Sequence, residues 1–122
     1  MVAVNYDFEQ EQGATFQAAL TIKNSAGEAI NLEGYTLRGQ IRNKITDSSV
    51  LANFSFNITN AALGEVTVSL TAAQTASLPV RSVVTHASFT NLFYDIELVS
   101  SEGIVTRLMN GYFKVSPEVT RG

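Results

Sequence analysis

The run from Leu92 to Val115 constrains the fold of this chain more than any other feature. Its first half alternates apolar residues with a more polar set, the period-2 pattern of a β-strand with one buried face. Turn-forming residues follow at 100–103, and the segment 104–115 is rich in β-branched and aromatic residues. The sequence therefore predicts a long antiparallel hairpin. The buried positions of its first strand are expected to be Leu92, Tyr94, Ile96 and Leu98.

Shorter period-2 segments precede the hairpin, and most turns between them contain glycine. We expect seven or eight short strands at spacings of about 10 to 15 residues. This pattern predicts an all-β fold, an antiparallel immunoglobulin-like β-sandwich that forms a single domain over residues 1–122, with a barrel as the alternative. The chain contains no Trp and no Cys, so it is not an antibody-type domain. The strands expected before the hairpin are 1–8, 14–23, 35–43, 50–58 and 65–70.

Several local features refine this prediction. The opening strand should end at the polar run that begins with Glu9. Thr71 and Gln74 have the spacing of a capping box, which predicts one short helical turn over 71–78 before Pro79. The segment 79–91 lacks clean alternation and fits either the start of a strand or a long exposed loop. Gly39 should mark a bulge or a close approach by another segment. Asn110–Gly111 is a second candidate bulge, which would change the inward-facing set from 104, 106 and 108 to 111, 113 and 115.

Charge and composition exclude several classes of function. The net charge is −3, the sequence pI is about 5.0, and the eight Lys and Arg residues are scattered, so no nucleic-acid partner is expected. No apolar run approaches the roughly 20 residues of a membrane helix, so no membrane partner is expected. The first residues lack the pattern of a signal peptide, which predicts synthesis in a cytoplasm without export.

Few residues offer catalytic chemistry. His86 is the single histidine, so the chain cannot supply both a Ser-His-Asp site and a second imidazole as a metal ligand. Asp7, Glu9 and Glu11 lack the alternating spacing of a calcium loop. We therefore expect no catalytic residue, no metal and no cofactor, and we predict that the protein is not an enzyme.

Asp95 and Glu97 lie two residues apart, so they share one strand face and could in principle act as acid and base. The favoured interpretation is that they are solvated or meet an arginine on a neighbouring strand. The candidate arginines are Arg38, Arg42 and Arg107.

Two aromatic residues stand apart from the predicted core. Phe93 falls on the same face as the carboxylates, and Phe89 lies in the irregular segment before the hairpin. An apolar ring out of phase with its strand can mark a contact with a partner.

Five segments spread over most of the chain carry a family resemblance: 12–16, 29–42, 70–78, 94–98 and 111–120. Together they resemble small virion proteins of tailed bacteriophages, and in particular the immunoglobulin-like domain at the start of siphophage baseplate upper proteins. The segment 81–91 is longer than the connection usual in such domains.

The resemblance implies a bacteriophage virion structural protein, a tail, baseplate or fibre adaptor that assembles through edge strands and loops. It implies other virion proteins as partners, homo-oligomers within the particle, and location in the virion after synthesis in the host cytoplasm. The family carries no catalytic residues. A capsid decoration (cement) protein of similar fold is the alternative. A carbohydrate-binding module is less favoured, because the chain lacks Trp and an exposed row of aromatic residues.

Contacts in such an assembly are expected from the opening strand, 2–8, and from the segment 80–91, because an unpaired β-edge is a template for another chain. The candidate interface residues are Val4, Tyr6, Phe8, Val83, His86, Phe89 and Phe93.

Overall fold

The computed structural model of the chain describes residues 3–80 and 89–120. Nine strands and one short helix lie within these ranges, against seven or eight strands expected, and two of the nine are only two residues long. In chain order they are β1 Val4–Asn5, β2 Phe8–Glu11, β3 Phe16–Thr21, β4 Thr36–Arg42, β5 Ala52–Asn53, β6 Ser55–Asn60, β7 Glu65–Leu70, α1 Ala72–Ala76, β8 Thr90–Val99 and β9 Val105–Ser116.

The strands form two sheets that enclose one core. The larger, six-stranded sheet has the order β1-β9-β8-β4-β5, and β2 also pairs with β9; the smaller has the order β3-β7-β6. These two sheets correspond to the C-F-G and B-E-D groups of an immunoglobulin-like sandwich. The predicted all-β sandwich is therefore confirmed, and the described strands close no barrel.

The hairpin predicted from the sequence is confirmed. Strands β8 and β9 pair antiparallel from Thr90 opposite Val115 to Val99 opposite Val105. Gly103 closes the turn with a φ of +85°, a conformation that costs glycine little.

The bulge predicted at Asn110–Gly111 lies earlier on β9. Ile96 is opposite Met109 whereas Glu97 is opposite Arg107, so the ladder skips Leu108. The inserted residue is a buried leucine, and it changes the inward-facing set as expected, but the predicted position was wrong.

The N-terminal strands differ most from expectation. Both β1 and β2 pair parallel to β9, and β2 includes residues that were expected to break the strand. The polar sequence is tolerated because Gln10 is buried with its amide satisfied: its side-chain nitrogen donates to the carbonyl oxygen of Ala14 at 2.7 Å. The sequence pattern predicts an end to the strand here because Gln10 is a polar residue on the inner face.

The strand predicted over 50–58 is divided between the sheets. Strand β5 pairs with β4, and β6 pairs with β7. The chain crosses from one sheet to the other at Phe54, whose backbone N–H donates to the carbonyl of Gly39 at 2.9 Å and whose ring enters the core. Both halves keep the same alternation, so the sequence pattern does not reveal the crossing.

An aromatic cluster fills the space between the sheets. Phe16 and Phe113 pack edge to face with centroids 5.1 Å apart, and the ring of Phe8 lies 5.1 Å from that of Tyr94. Phe54 contacts this group from the point where the chain crosses between the sheets. Such pairs stabilise a core beyond the area that they bury.

The helical turn and its capping box are confirmed, since the side chains of Thr71 and Gln74 each accept a hydrogen bond from the other's backbone N–H. Gly39 marks a close approach by another segment, which is one of the two alternatives predicted for it. A β-carbon built there would lie 2.8 Å from the carbonyl oxygen of Asp95. The short α1 is too brief to cross a membrane, and the described residues contain no other helix.

Candidate interaction surface

The outward side of the six-stranded sheet carries an open depression of about 500 Å³, which we call the outer face. Strands β4, β8 and β9 supply its floor, because alternate side chains on each strand point away from the core. The segment between β1 and β2 and the loop after β4 supply its rim. The residues that matter most below are Arg42, Phe93, Asp95, Arg107 and Tyr112, with Ile45 on the rim.

The carboxylates of the outer face meet arginines on both neighbouring strands. The Nε atom of Arg38 lies 2.7 Å from Oε1 of Glu97, and the Nε atom of Arg107 lies 3.8 Å from Oδ2 of Asp95. The predicted cross-strand pairing is confirmed for these two arginines. Both pairs are solvent-exposed and add little stability, so they chiefly set the charge pattern of the face: acidic along β8, with basic residues on either side.

Asp95 is the most perturbed carboxyl of this face. Partial burial raises its pKa above the ordinary value, and the neighbouring carboxylate of Glu97 raises it further. The guanidinium groups of Arg107, Arg42 and Arg38 act in the opposite direction without cancelling the rise. The fold therefore favours the neutral form of Asp95.

Two aromatic rings form the apolar centre of the outer face. Phe93 lies opposite Tyr112 in the ladder, and their ring centroids are 5.2 Å apart. Ile45 adds a side chain that is 74% exposed. Tyr112 is exposed and Phe93 is half-buried. Aromatic residues and arginine are both enriched at the centres of protein–protein interfaces.

The rim along β9 is held by side-chain contacts to the backbone. Oδ1 of Asp7 accepts a hydrogen bond from the N–H of Tyr112 at 2.9 Å, and its Oδ2 lies 3.8 Å from the Lys114 ammonium nitrogen. Gly111 lets the backbone of Tyr6 approach closely, since an added β-carbon there would overlap the carbonyl of Tyr6. The edge of the face is thereby fixed to its central strands.

The predicted interface residues lie in different places. Phe93 lies in the outer face, and Val4 and Tyr6 are exposed along the edge of the same sheet. Phe89 is exposed beside a second groove, between β2 and the segment after β9. Phe8 is buried, because it lies in register with Phe113 in the core. Val83 and His86 lie outside the described residues.

Sequence reasoning missed the partner of Phe93. Without the insertion at Leu108, continuing the pairing from the turn would place Phe93 opposite Gly111. The bulge moves the register by one, and Tyr112 takes that place. The sequence signal for this register is the change in the inward-facing set of β9. It identifies the partner of Phe93 only when the position of the bulge is also known.

Metal ligands do not gather in the described residues, which contain no group of three or more His, Cys, Asp or Glu able to hold an ion. No family model matches the chain, and no curated protein matches it significantly.

Proposed function

We propose that this protein is a structural adaptor of tailed-bacteriophage virions, which joins tail, baseplate or fibre components. The sequence resemblance suggests the class of particle. The observation that carries the adaptor role is the packed pair of half-buried Phe93 and exposed Tyr112 at the centre of the outer face. Buried aromatic residues and arginines account for most of the binding energy in typical protein interfaces.

The backbone beneath this pair is well suited to binding. Strands β8 and β9 are the longest of the described strands, and each is hydrogen-bonded on both sides. A surface on such strands changes little on association, so the entropic cost of ordering it is small. The outer face therefore suits binding without rearrangement of its backbone.

The charge pattern supplies orientation. Carboxylates on β8 lie between arginines on β4 and β9, so a partner surface with the complementary order docks in one register. The partner that fits is another protein with an apolar centre and a mixed-charge rim.

The location is tested by immunogold electron microscopy. Antibodies raised against the purified protein are applied to tailed particles released from cells that carry its gene. Label on the tail, baseplate or fibres supports the proposal. Label on the capsid supports decoration of the shell instead, and unlabelled particles contradict a virion role.

The role of the outer face is tested by substitution. Phe93→Ser combined with Tyr112→Ser should lower incorporation into particles at least about tenfold, the effect of losing interface hot spots. Arg107→Glu tests the same face through a side chain whose loss does not disturb the core. Ile104→Ser, in the exposed hairpin turn, is the matched control. Circular dichroism checks that each variant folds, and full incorporation of a folded outer-face variant would contradict the proposal.

A further inference from the structure

The two sheets differ in how their edges are protected. In the larger sheet, β5 has only two residues, and β2 carries Glu9 and Glu11. Short or charged edge strands resist pairing with another chain. In the smaller sheet, β3 and β6 are each six residues long, contain no charged residue and no proline, and have β7 as their one neighbouring strand within the described ranges. Within residues 3–80 and 89–120, the smaller sheet therefore has the two unprotected edges.

Of these two edges, β6 is the one that leaves apolar surface uncovered. Phe56 and Ile58 face the core side, because they lie opposite the buried Val68 and Val66 of β7. Ile58 is nevertheless 37% exposed. On β3, the core-facing positions are already buried or half-buried. One further strand beside β6 would cover Ile58 as a neighbouring strand covers the other core positions.

The hydrogen bonds between β7 and β3, the other edge strand, show which backbone groups of β7 point toward each neighbouring strand. The N–H of Ile22 donates to the carbonyl of Gly64 at 2.8 Å, in register with the pairing of β3 and β7. In an antiparallel ladder such directions alternate along the strand. The even-numbered residues of β7 therefore bond to β3, and the odd-numbered residues, Thr67 and Ser69, bond to β6.

The same alternation fixes the free edge of β6. Asn57 lies opposite Thr67 and Ser55 opposite Ser69, so their backbone groups point toward β7. The N–H and C=O groups of Phe56 and Ile58 consequently point away from the sheet, where they can bond to an added strand.

We propose that β6 pairs antiparallel with β6 of a second copy of this chain, about a two-fold axis that passes Asn57. This pairing deepens the proposed assembly function and rests on it for its biological role. It places Phe56 opposite Ile58 of the second copy in a hydrogen-bonded pair, and an aromatic residue opposite a β-branched one is a favourable cross-strand contact. The two small sheets become one continuous sheet.

A second copy fits this edge because a two-fold axis sets each surface against itself. Any charge near the axis would meet its own equivalent, and β6 carries none. Asn57 would face Asn57, and Ser55 would face Thr59, so uncharged hydrogen-bonding groups meet on the outer side. The register centred on Ile58 is disfavoured, since it sets Phe56 opposite the polar Asn60, beyond the irregularity in the pairing of β6, and loses the contact between Phe56 and Ile58.

Cross-linking tests this register directly, since the chain contains no cysteine. Asn57 would form a non-hydrogen-bonded pair with its own equivalent, with Cα atoms about 4.5 Å apart, a separation that a disulfide spans. We expect Asn57→Cys to give a covalent dimer under mild oxidation. Thr59→Cys is the matched control: it lies on the same side of the strand, but the two thiols would be about 13 Å apart. A mixture of Ser55→Cys and Thr59→Cys chains should give the mixed dimer.

Three results would overturn the pairing. The first is cross-linking of Asn57→Cys no faster than Thr59→Cys. The second is preferential cross-linking of Asn57→Cys with Gln17→Cys, which indicates contact between β6 and β3. The third is a wild-type chain that sediments as a 13.2 kDa monomer at all concentrations.

Sedimentation also provides a test without cysteine. Ile58→Lys should weaken self-association at least about tenfold, because it sets a charge opposite Phe56 of the second copy and brings two like charges close to the two-fold axis. Ile104→Lys, at an exposed site in the hairpin turn, should leave it unchanged. A dimer in solution with unlabelled particles would refute the virion role alone. Labelled particles with no β6 dimer would refute the pairing alone.

Discussion

The phenol hydroxyl of Tyr94 donates a hydrogen bond of 2.6 Å to the backbone carbonyl of Tyr6. Tyr94 lies on the central strand β8, and Tyr6 lies between the two short N-terminal strands. The bond passes over Gly111 of the intervening β9, where the lack of a side chain leaves room for it. This contact anchors the edge of the outer face to the core and gives the first prediction.

Replacing Tyr94 by Phe should destabilise the protein by about 0.5–1.5 kcal/mol, because the carbonyl of Tyr6 loses its partner. Urea denaturation followed by circular dichroism measures the change. Tyr112→Phe, at an exposed ring, is the control and should lie within about 0.5 kcal/mol of wild type. Equal losses in the two variants would contradict a specific role for the bond.

The same hydroxyl makes stability depend on alkaline pH. Burial and the nearby Asp7 raise the pKa of Tyr94 above its ordinary value of 10.0. Above pH 10 the folded state therefore holds a proton that the unfolded state releases, so the free energy of unfolding falls as pH rises. Denaturation between pH 8 and about 11 should show a shallower fall for Tyr94→Phe than for wild type. Parallel curves would contradict the assignment.

Asp95→Asn should stabilise the protein slightly at neutral pH. The fold raises the pKa of Asp95 above 3.8, so it favours the neutral form, and ionisation as pH rises lowers the free energy of unfolding. Since the side chain is 41% exposed, the gain should not exceed about 0.5 kcal/mol. It should disappear near pH 3, below the ordinary pKa.

Arg107→Gln is the matched control for this effect. It removes a guanidinium that lowers the pKa of Asp95, so stability at neutral pH should change in the opposite direction. Thermal denaturation at the two pH values measures both variants. A loss of stability in Asp95→Asn at neutral pH would show that its ion pair outweighs its desolvation.

Thr75 should be the most costly polar residue of the helical turn to replace. Its side chain is 0% exposed, and its hydroxyl donates to the carbonyl of Ala14 at 2.8 Å while accepting from the N–H of Gly13 at 3.1 Å. Thr75→Val keeps the shape but removes the acceptor of the Gly13 N–H and leaves the carbonyl of Ala14 with Gln10 as its donor, at a cost of about 0.5–1.5 kcal/mol. Thr75→Ser keeps the hydroxyl and should retain most of the stability. Chemical denaturation ranks them, and a more stable Val variant would contradict the argument.

Gly111→Ala should loosen the N-terminal edge without unfolding the sandwich. The added methyl group would overlap the carbonyl of Tyr6, so the segment must move away from β9. Hydrogen exchange should then lose protection at the N–H of Tyr6, which donates to Asn110 at 2.9 Å. Gly103→Ala strains the hairpin turn instead and should leave that protection unchanged. Equal protection in both variants would contradict the close approach.

Much of the fold could be predicted because the alternation of residues along a strand shows directly which side chains are buried. In β3, β4, β7 and β8 each buried residue is followed by an outward one, so the strand, its inward face and the hairpin follow from the order of residues alone. The capping box is equally local, since all its groups lie within four residues. These elements depend on near neighbours in the chain.

Other features depended on partners that lie far away in the sequence. The parallel pairing of β2 and the crossing at Phe54 leave the local pattern almost unchanged. The bulge on β9 does change the alternation, but the residue at which the register shifts depends on the pairing with β8. Gln10 illustrates this, since a buried glutamine is acceptable only where a carbonyl such as that of Ala14 can accept its proton.

The candidate surfaces likewise combine features that one strand determines with features that depend on several strands. The sequence by itself determined that Phe93 points outward beside two carboxylates, because residues two apart on a single strand lie on the same face. Only the tertiary structure decided that Tyr112 lies beside it and that β6 ends a sheet with Ile58 partly uncovered. The physical reason is that register and sheet edges are relations between strands, which chain order alone does not encode.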